Sequence, residues 1–594
     1  MKKFKYIFFL LGFSTVLGLN SCIDAEIEEA VDYKDFYATM NDADAIVMGI
    51  YGKVMGIADR LVVLNELRGD MLDVTTNAEN DLIEINSQKA SADNYWADPT
   101  PIYAVIQNCN DALYNFDIML NTNKLTEDQY NERYSDIAAI RTWLYYQLGV
   151  HFGTIPYITK PLANVDDLSK LEVNNLNLTD LIPELIRCME NLPTLGDYKN
   201  SKLITGTIDG LSLAPYFINK KILLGDLYLF NNQYDKAATI YREVLAKDET
   251  NEITTNHYYY RLYTDRSWQS GEWNYFNILF NRFTQDDAST YYNAWVNMFK
   301  LSADNRYAKY EMIWEMTYDS KFAPTYPFIK LFGTEGKGEY KLKPSTYAIN
   351  EMWGSEKQNN GFPYDCRGIS GGVKKIAEGK YAVAKYGMTY DALTTPYDNE
   401  GKWYLYRAAL LNLRFAEAAN RSESGGGYPR LAWAFVNNGV GDLGSAFKWR
   451  HADGTEYRGD SIEYSSFGPG KPYPAPYYFD GRANTQPYFR ASWRAHGGVR
   501  GRANLPNVDM SSITSKEDSI VFVEQMIVKE AALELAFEGH RWTDLIRIAR
   551  RLEKLSAGKG GEFLTEKLRR KYELAGLPVP DFSSESNWYL PLHR

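Results

Sequence analysis

Apolar side chains recur every three to four residues over long stretches of the chain, a spacing that fits amphipathic α-helices and excludes alternating β-strands. Six such stretches predict helices, the fifth broken near Gly539. They are residues 42–54, 102–120, 132–151, 403–422, 516–551 and 562–575. The chain is therefore predicted to be mostly α-helical.

Residues 211–247 predict two helices joined by a short turn. The first helix should end near Phe230, the turn should span residues 231–233, and the second helix should begin at Asp235. Its apolar side is supplied by Tyr234, Ala237, Ala238, Tyr241 and Leu245. A helix, a tight turn and a helix with small residues at the crossing is the tetratricopeptide arrangement, and at least three such pairs must stack to bury their faces.

Two other stretches lack sustained helical periodicity. Residues 256–398 are rich in Gly, Asn, Tyr and Trp, and residues 425–506 are rich in Gly, Pro and Tyr. Proline removes backbone donors and is barred from helix interiors, so the second stretch is predicted to be irregular. The expected architecture is a tetratricopeptide-like scaffold of helix pairs with a loop-rich region packed on it.

The N-terminus predicts export and lipidation. Lys2, Lys3 and Lys5 precede an apolar run over residues 6–19, the build of a signal peptide and shorter than the ~20 residues of a membrane span. The segment ends in Ser21-Cys22, which resembles a bacterial lipobox, so residues 1–21 are predicted to be removed and Cys22 to carry the lipid. The alternative is an ordinary secretory signal with a chance cysteine.

An acidic run follows Cys22, made up of Asp24, Glu26, Glu28 and Glu29. It resembles the surface-export signal of Bacteroidetes lipoproteins, and it also suits a solvated tether over residues 22–40. Several acyl chains on one cysteine would hold the protein firmly to a membrane. The predicted location is the cell outer membrane, lipid-anchored and exposed at the surface.

Charge and composition narrow the ligand class. The formal net charge is −11, and −14 once the first 21 residues and their three lysines are removed, which argues against nucleic acid as a partner. The 46 Tyr and 13 Trp residues suit amphipathic ligands as well as half-buried helix surfaces. Cys109, Cys188 and Cys366 form neither a disulfide framework nor a metal-binding pair.

No catalytic motif fits its required context. The GISGG sequence at residues 368–372 matches the pattern of a nucleophile elbow around Ser370, but the elbow needs a strand before it and a helix after it, and the preceding segment is turn-like. The six histidines show no metal-binding spacing, and no nucleotide-binding loop is present. The chain is predicted to be no enzyme and to need no metal or cofactor.

Three glutamates, Glu530, Glu534 and Glu538, follow one another at four-residue intervals. A glycosidase also uses two carboxylates, but it places them across a cleft. The row is therefore interpreted as the salt-bridged face of one helix, paired with Arg541, Arg547 and other basic groups.

Several segments, in order along nearly the whole chain, resemble the SusD/RagB family of outer-membrane nutrient-binding lipoproteins. They are NELRGDMLD (65–73), IQNCNDAL (106–113), RTWLYYQLGVHFGTIPYI (141–158), LNLRFAEAAN (411–420), RGRA (500–503) and ELAFEGHRWTDLIR (534–547). Lys529 departs from the family, which often has a Glu-Arg pair there. The resemblance implies an N-terminal helical region over residues 41–255 and a C-terminal SusD/RagB region over residues 256–594.

The resemblance also implies partners and binding residues. Family members cap a TonB-dependent transporter of the SusC type and hand it oligosaccharides or, in some members, peptides. The family places a ligand-stacking tryptophan near position 96 of this sequence, so Trp96, in a loop before a helix, is the first candidate for ligand binding. Asp73 and Asn77, which follow the NELRGD segment, are candidate hydrogen-bonding neighbours. Further aromatic candidates from the loop-rich region are Tyr292, Trp295 and Trp353; each ring could instead serve only in packing.

The leading functional prediction is a cell-surface lipoprotein that binds oligosaccharide and delivers it to a SusC-like transporter. Three alternatives remain open: a peptide-binding member of the same family, a surface glycoside hydrolase, and a scaffold that completes its transporter without a ligand of its own.

Overall fold

A computed structural model of the chain describes most of the predicted helical regions. The described residues are 36–162, 173–199, 201–246, 311–387, 401–440, 473–479 and 496–592, with the backbone of two short strands at 448–450 and 456–458 and the single residues 262, 295, 298, 299 and 493. Within these residues no helix is both long enough and apolar enough to cross a membrane.

Helices dominate the described part of the chain, as predicted. They are α1 (Met40–Met55), α2 (Ala58–Glu66), α3 (Asn80–Asn86), α4 (Thr100–Asn121), α5 (Glu127–Phe152), α6 (Leu178–Glu190), α7 (Lys202–Thr205), α8 (Lys220–Phe230), α9 (Tyr234–Leu245), α10 (Phe328–Phe332), α11 (Ala408–Asn420), α12 (Pro429–Val436), α13 (Val499–Arg502), α14 (Lys516–Leu535), α15 (Arg541–Leu555) and α16 (Lys559–Ala575).

The strands are short and pair two by two. They are β1 (Leu72–Val74), β2 (Thr154–Tyr157), β3 (Asn174–Asn177), β4 (Thr207–Ile208), β5 (Leu211–Ser212), β6 (Met312–Tyr318), β7 (Leu342–Pro344), β8 (Val373–Ala377), β9 (Lys380–Val383), β10 (Gly401–Arg407), β11 (Lys448–Arg450) and β12 (Glu456–Arg458). The antiparallel pairs are β1 with β7, β2 with β3, β4 with β5, β6 with β10, β8 with β9 and β11 with β12.

The helix pair predicted from residues 211–247 is confirmed in α8 and α9. Helix α8 ends at Phe230, and α9 begins at Tyr234 after a three-residue turn. The helices approach closely at Gly225, where a Cβ atom would lie 2.4 Å from the ring of Tyr241. Long antiparallel neighbours α4 and α5 pack in the same way earlier in the chain, which gives the scaffold its paired-helix character.

Residues 401–407 form a strand, and the predicted helix over 403–422 is wrong in this part. Strand β10 pairs with β6, and helix α11 begins only at Ala408. The residues of both strands are buried throughout, so the period-two alternation of a half-exposed strand is missing from the sequence. Aromatic residues such as Trp403 and Tyr404 favour the extended backbone.

Two further boundaries differ from or sharpen the prediction. The break expected near Gly539 is confirmed, because α14 ends at Leu535 and both Phe537 and Gly539 adopt positive φ angles of 73° and 88° before α15. Residues 425–506 are not irregular throughout, since they contain α12, which begins at the helix-compatible first position of Pro429.

A buried network of charges joins α14 to the loop-rich region. Glu534 accepts from Arg367, Arg407 and Arg502 at 2.7 to 2.8 Å, and every one of these side chains is buried. The salt-bridged interpretation of the glutamate row is thus correct. Its assigned geometry is wrong, because Glu538 lies in the turn after α14, where it binds Arg407.

The basic partners of that row also differ from the prediction. Arg541 pairs with Asp70 at 2.6 Å, and Arg547 pairs with Glu417 at 2.5 Å. The side chains that neutralise Glu530, Glu534 and Glu538 come from elsewhere in the sequence. They are Arg367, Arg407, Arg500, Arg502 and Lys385.

The segment Asn65–Asp70 docks onto the start of α15. The buried carboxylate of Glu66 accepts backbone hydrogen bonds from Phe537, Gly539, His540 and Arg541. Beside it, Arg541 binds Asp70, the hydroxyl of Thr543 donates to Asn65, and the guanidinium of Arg68 lies 3.9 Å from the ring of Trp542. Two of the segments that carry the family resemblance are therefore direct partners in the fold.

His540 gives the stability of this junction a pH dependence. Burial disfavours the charged imidazolium and lowers the pKa of His540 to about 4. The unfolded chain, with a pKa near 6.5, then binds more protons than the folded chain, so this histidine's contribution is complete above pH 6.5 and declines as the pH falls toward 4. Between pH 7.5 and pH 5, wild-type protein should lose about 2 kcal/mol of stability relative to His540→Gln.

Urea denaturation of both proteins at the two pH values measures this difference directly. Comparing the variant with wild type cancels the titration of the buried carboxyl groups, such as Asp136, whose pKa burial raises to about 6. An equal loss of stability in the two proteins would contradict the buried, neutral state of His540.

Candidate functional site

The loop of residues 87–99 between α3 and α4 is held by hydrogen bonds to α3. The carboxylate of Glu84 accepts from the hydroxyl and backbone N–H of Ser91, at 2.6 and 2.9 Å, and from the side-chain amide of Asn94 at 3.0 Å. These bonds, those of Ser91 first, lower the pKa of Glu84 to about 2. The loop is therefore tied to the scaffold by a carboxylate that stays ionised at neutral pH.

A second set of bonds fixes the turn at the loop's tip. The side-chain oxygen of Asn94 accepts from the backbone N–H groups of Trp96 and Ala97 at 3.0 and 3.1 Å. The carboxylate of Asp81, in the first turn of α3, accepts from the N–H of Tyr95 at 3.0 Å. With both flanking amides held, Tyr95 has little freedom to change its direction.

The exposed ring of Tyr95 packs against the buried guanidinium of Arg60. The guanidinium of Arg60 lies 4.7 Å from the ring centroid, and it also donates to the backbone carbonyl of Tyr95. Arg60 is buried in α2, while Tyr95 is 59% exposed. Arg60 lies against the ring, and more than half of the surface of Tyr95 remains exposed as a candidate stacking platform.

Trp96, the first candidate from the sequence, is buried, whereas its neighbour Tyr95 is exposed. Trp96 is only 4% exposed and packs edge-on against Tyr95, with ring centroids 5.1 Å apart. Its indole N–H is buried, and it meets no hydrogen-bond acceptor in the part of the chain that the structure describes. A stacking role for Trp96 stays a prediction, but in this conformation the exposed ring of the loop belongs to its neighbour.

The two predicted polar neighbours have different surroundings. Asp73 is buried, and its carboxylate accepts from the side chain of Asn86 at 2.9 Å, a contact within the protein. Asn77 is exposed and donates to the carbonyl of Glu339 at 3.1 Å. Asn77 precedes α3 by three residues, so it lies at the same end of this helix as Asp81 and the platform.

The other predicted aromatic residues are not brought to this surface. Trp295 and Trp353 are 0% and 1% exposed, and they pack around the charge network: Trp353 donates to the carbonyl of Leu533, and Trp295 lies 5.8 Å from Arg407. Ligand contact by these two rings stays a prediction that their burial does not favour. Tyr292 and Cys22 lie outside the described residues.

Two chemical possibilities remain from the sequence analysis, a nucleophilic Ser370 and a metal site. Ser370 has a positive φ angle of 73°, but it lies in a turn that leads into β8, where a nucleophile elbow requires a helix. Its hydroxyl lies 3.4 Å from that of Tyr364. Across the described ranges, no group of three or more His, Cys, Asp or Glu side chains is arranged to hold a metal ion.

An interior space of about 30 Å³ lies beside His540, lined by Asn65, Gln147 and Asp226 among others. A space of this size holds one or two water molecules and is far too small for a sugar ring. This space is therefore not a site for a ligand of the predicted class, whereas Tyr95 lies at the surface.

Sequence and structure comparisons identify the family. The SusD family model matches residues 238–592, more than half of the chain. Among solved structures, a SusD superfamily protein from Bacteroides vulgatus has a TM-score of 0.56 at 15% identity, over 93% of this chain and 96% of that one. Surface glycan-binding protein A from Bacteroides uniformis has a TM-score of 0.54 at 16% identity, over 93% and 96%.

A SusD-like carbohydrate-binding protein from Bacteroides fragilis has a TM-score of 0.53 at 13% identity, over 89% of this chain and 88% of that one. At such identities the likeness shows the shared fold. None of the curated proteins matches the chain. The family model, supported by this fold and by the segments that meet at Glu66 and Arg541, shows that the chain belongs to the SusD family.

Proposed function

We propose that this protein binds oligosaccharide at the cell surface, with Tyr95 as the stacking platform. The exposed ring on a fixed loop is the observation that carries the proposal, because an aromatic face offers the apolar C–H side of a sugar ring a flat, pre-oriented partner. The binding role is supported by two proteins of the same fold, described as a surface glycan-binding protein and a SusD-like carbohydrate-binding protein.

The platform is flanked by groups that accept hydrogen bonds from hydroxyls. Asp81 and Asp98 are partly exposed beside Tyr95, and Asn77 lies at the same end of α3. Stacking on one ring with a few hydroxyl bonds on an open surface gives weak to moderate affinity per site. Non-catalytic capture of a nutrient needs no more than this.

Delivery to a membrane transporter completes the proposal. The signal-like segment, Cys22 and the acidic run behind it support a lipid anchor at the outer membrane, and the family supports a TonB-dependent partner of the SusC type. Peptide remains the alternative ligand. Binding assays with both classes of ligand decide between them.

Tyr95→Ala should weaken oligosaccharide binding about tenfold, because it removes the stacking face while Arg60 and the loop's backbone contacts remain. Isothermal titration of purified protein against hexasaccharides of glucose, mannose and xylose measures the effect. Tyr114→Ala is a matched control, since Tyr114 is 54% exposed on α4 and is a tyrosine of similar accessibility.

Equal affinities for wild type and Tyr95→Ala would remove Tyr95 from the site. Binding of peptides with no binding of any glycan would replace the proposed ligand class. Steady release of reducing ends during incubation would show a hydrolase.

A further inference from the structure

The surroundings of the Tyr95 platform carry an excess of negative charge. Residues 77–99, together with the Asp59–Arg60 pair beneath the ring, contain six carboxylates and only two basic groups. Asp93 is exposed in the same loop, two residues before Tyr95, and Asp98 is partly exposed three residues after it. A charged group on a ligand stacked against Tyr95 would therefore lie in a region of net negative charge.

The carboxylates nearest the ring are fixed there by bonds to the backbone. Asp81 accepts from the N–H of Tyr95 itself, and Asp98 accepts from the N–H of Thr100 at the start of α4, at 2.9 Å. Glu84 remains ionised because Ser91 and Asn94 bind its charged form. The carboxylates of residues 77–99 therefore form a negative rim around the platform at neutral pH.

Arg60, the cation against the ring of Tyr95, does not offset this rim. Arg60 is buried, and its charge interacts directly with Asp59 and Asp98. Its guanidinium is engaged by the ring and the carbonyl of Tyr95. Glu79, farther along the surface, is neutralised by Lys341 at 2.9 Å. Lys330, which also acts on Asp59, pairs with Glu339 at 3.6 Å.

We propose that the Tyr95 platform selects uncharged sugar rings and rejects glycans that carry uronate or sulfate groups. The proposal rests on the proposed function of this surface and names the class of glycan it takes. Hydroxyls of a neutral sugar donate to the carboxylates of the rim, whereas an anionic substituent meets like charge close by. Repulsion of this kind excludes a wrong ligand more than it tightens the right one.

The test uses probes of matched length. Hexasaccharides of glucose, mannose and xylose represent neutral glycans, and hexagalacturonate and a heparin-derived hexasaccharide represent anionic ones. Wild-type protein should bind at least one neutral probe at least tenfold more tightly than either anionic probe. Raising NaCl from 50 to 500 mM should leave neutral binding unchanged and strengthen anionic binding, since salt screens exposed charges.

Neutralising the rim should relax the selection. Asp93→Asn with Asp98→Asn should raise affinity for the anionic probes by about threefold to tenfold, and it should not raise affinity for the neutral probes, which lose charged hydrogen-bond acceptors. Asparagine at position 98 keeps the acceptor for the N–H of Thr100. Asp128→Asn with Glu517→Gln removes the same charge from exposed positions on α5 and α14, and it should change neither affinity.

The outcomes separate this proposal from the binding function itself. Loss of neutral binding in Tyr95→Ala, with no response of the anionic probes to the Asp93/Asp98 variant, overturns charge selection and leaves the platform in place. Preference of wild type for an anionic probe, or for a cationic peptide, also overturns it. Binding that is indifferent to Tyr95→Ala, or absent for all the probes, removes the proposed function and this inference together.

Discussion

Glu534→Ala is expected to lower the free energy of unfolding by about 3–5 kcal/mol, a large fraction of the stability of a typical folded protein. The carboxylate is fully buried between Arg367, Arg407 and Arg502, which hold its pKa well below the ordinary value of a glutamate. A carboxyl whose folded pKa is lowered adds stability that is complete above the unfolded pKa and lost as the pH falls. At neutral pH the contribution is therefore fully present, and its removal leaves three buried guanidiniums short of charge.

An exposed glutamate provides the matched control. Glu562 pairs with Lys559 within α16 at 2.6 Å, but the two side chains are 68% and 57% exposed. Water solvates both ions once the pair is broken, so Glu562→Ala should cost less than about 1 kcal/mol. Urea denaturation at pH 7.5 compares the two variants, and similar midpoints would show that water reaches the network around Glu534.

Much of the helical scaffold was predictable from the three-to-four spacing of its apolar residues, although α8 and the second half of α5 are buried almost all round. Periodicity places α4 and α5 within a few residues of their ends, and the turn of residues 231–233 separates α8 from α9 as predicted. In these segments the pattern of apolar residues and the preference of the backbone point to the same structure. In these segments the local sequence alone is sufficient to predict the helices.

Periodicity fails at the start of the predicted helix over residues 403–422, which is a strand. Strand β10 is covered on both faces and leads directly into α11, so its apolar residues continue those of the helix without a change of period. The prediction of the basic partners of Glu530, Glu534 and Glu538 fails for a related reason. Spacing fixes the face of α14 that Glu530 and Glu534 share, but it cannot show that the helix ends at Leu535 or which distant arginines reach that face.

At the candidate site, Trp96 is the stacking ring predicted from the sequence, but Trp96 is buried and the neighbouring Tyr95 is exposed. Tyr95 and Trp96 are adjacent, and a loop without regular periodicity gives no rule for which of them faces water. The outcome depends on Asn94 and Asp81, which fix the turn, and on Arg60, which comes from a helix 35 residues earlier. Only the folded chain brings these three contacts together.

Glu66→Ala is expected to be comparably damaging, by about 3–5 kcal/mol, although Glu66 forms no ion pair with any side chain that the structure describes. Its carboxylate is the acceptor for four backbone N–H groups between Phe537 and Arg541, at the positive end of α15. Alanine removes the acceptor of all four donors, and two of them, at Phe537 and Arg541, lie in buried surroundings. The same change weakens the docking of segments 65–70 and 537–543, because Asp70 and Arg541 are held in register by this contact.

Glu553 offers the same chemistry at the surface and serves as the control. Its carboxylate accepts from the N–H groups of Gly558 and Gly560 at the start of α16, at 2.7 and 3.0 Å, but it is partly exposed. Water can replace that acceptor, so Glu553→Ala should cost about 1 kcal/mol. If thermal denaturation shows equal losses for the two variants, burial of the amide donors is not what makes Glu66 important. A loss of stability at least threefold greater for Glu66→Ala than for Glu553→Ala supports the view that the Glu66 carboxylate joins segments 65–70 and 537–543.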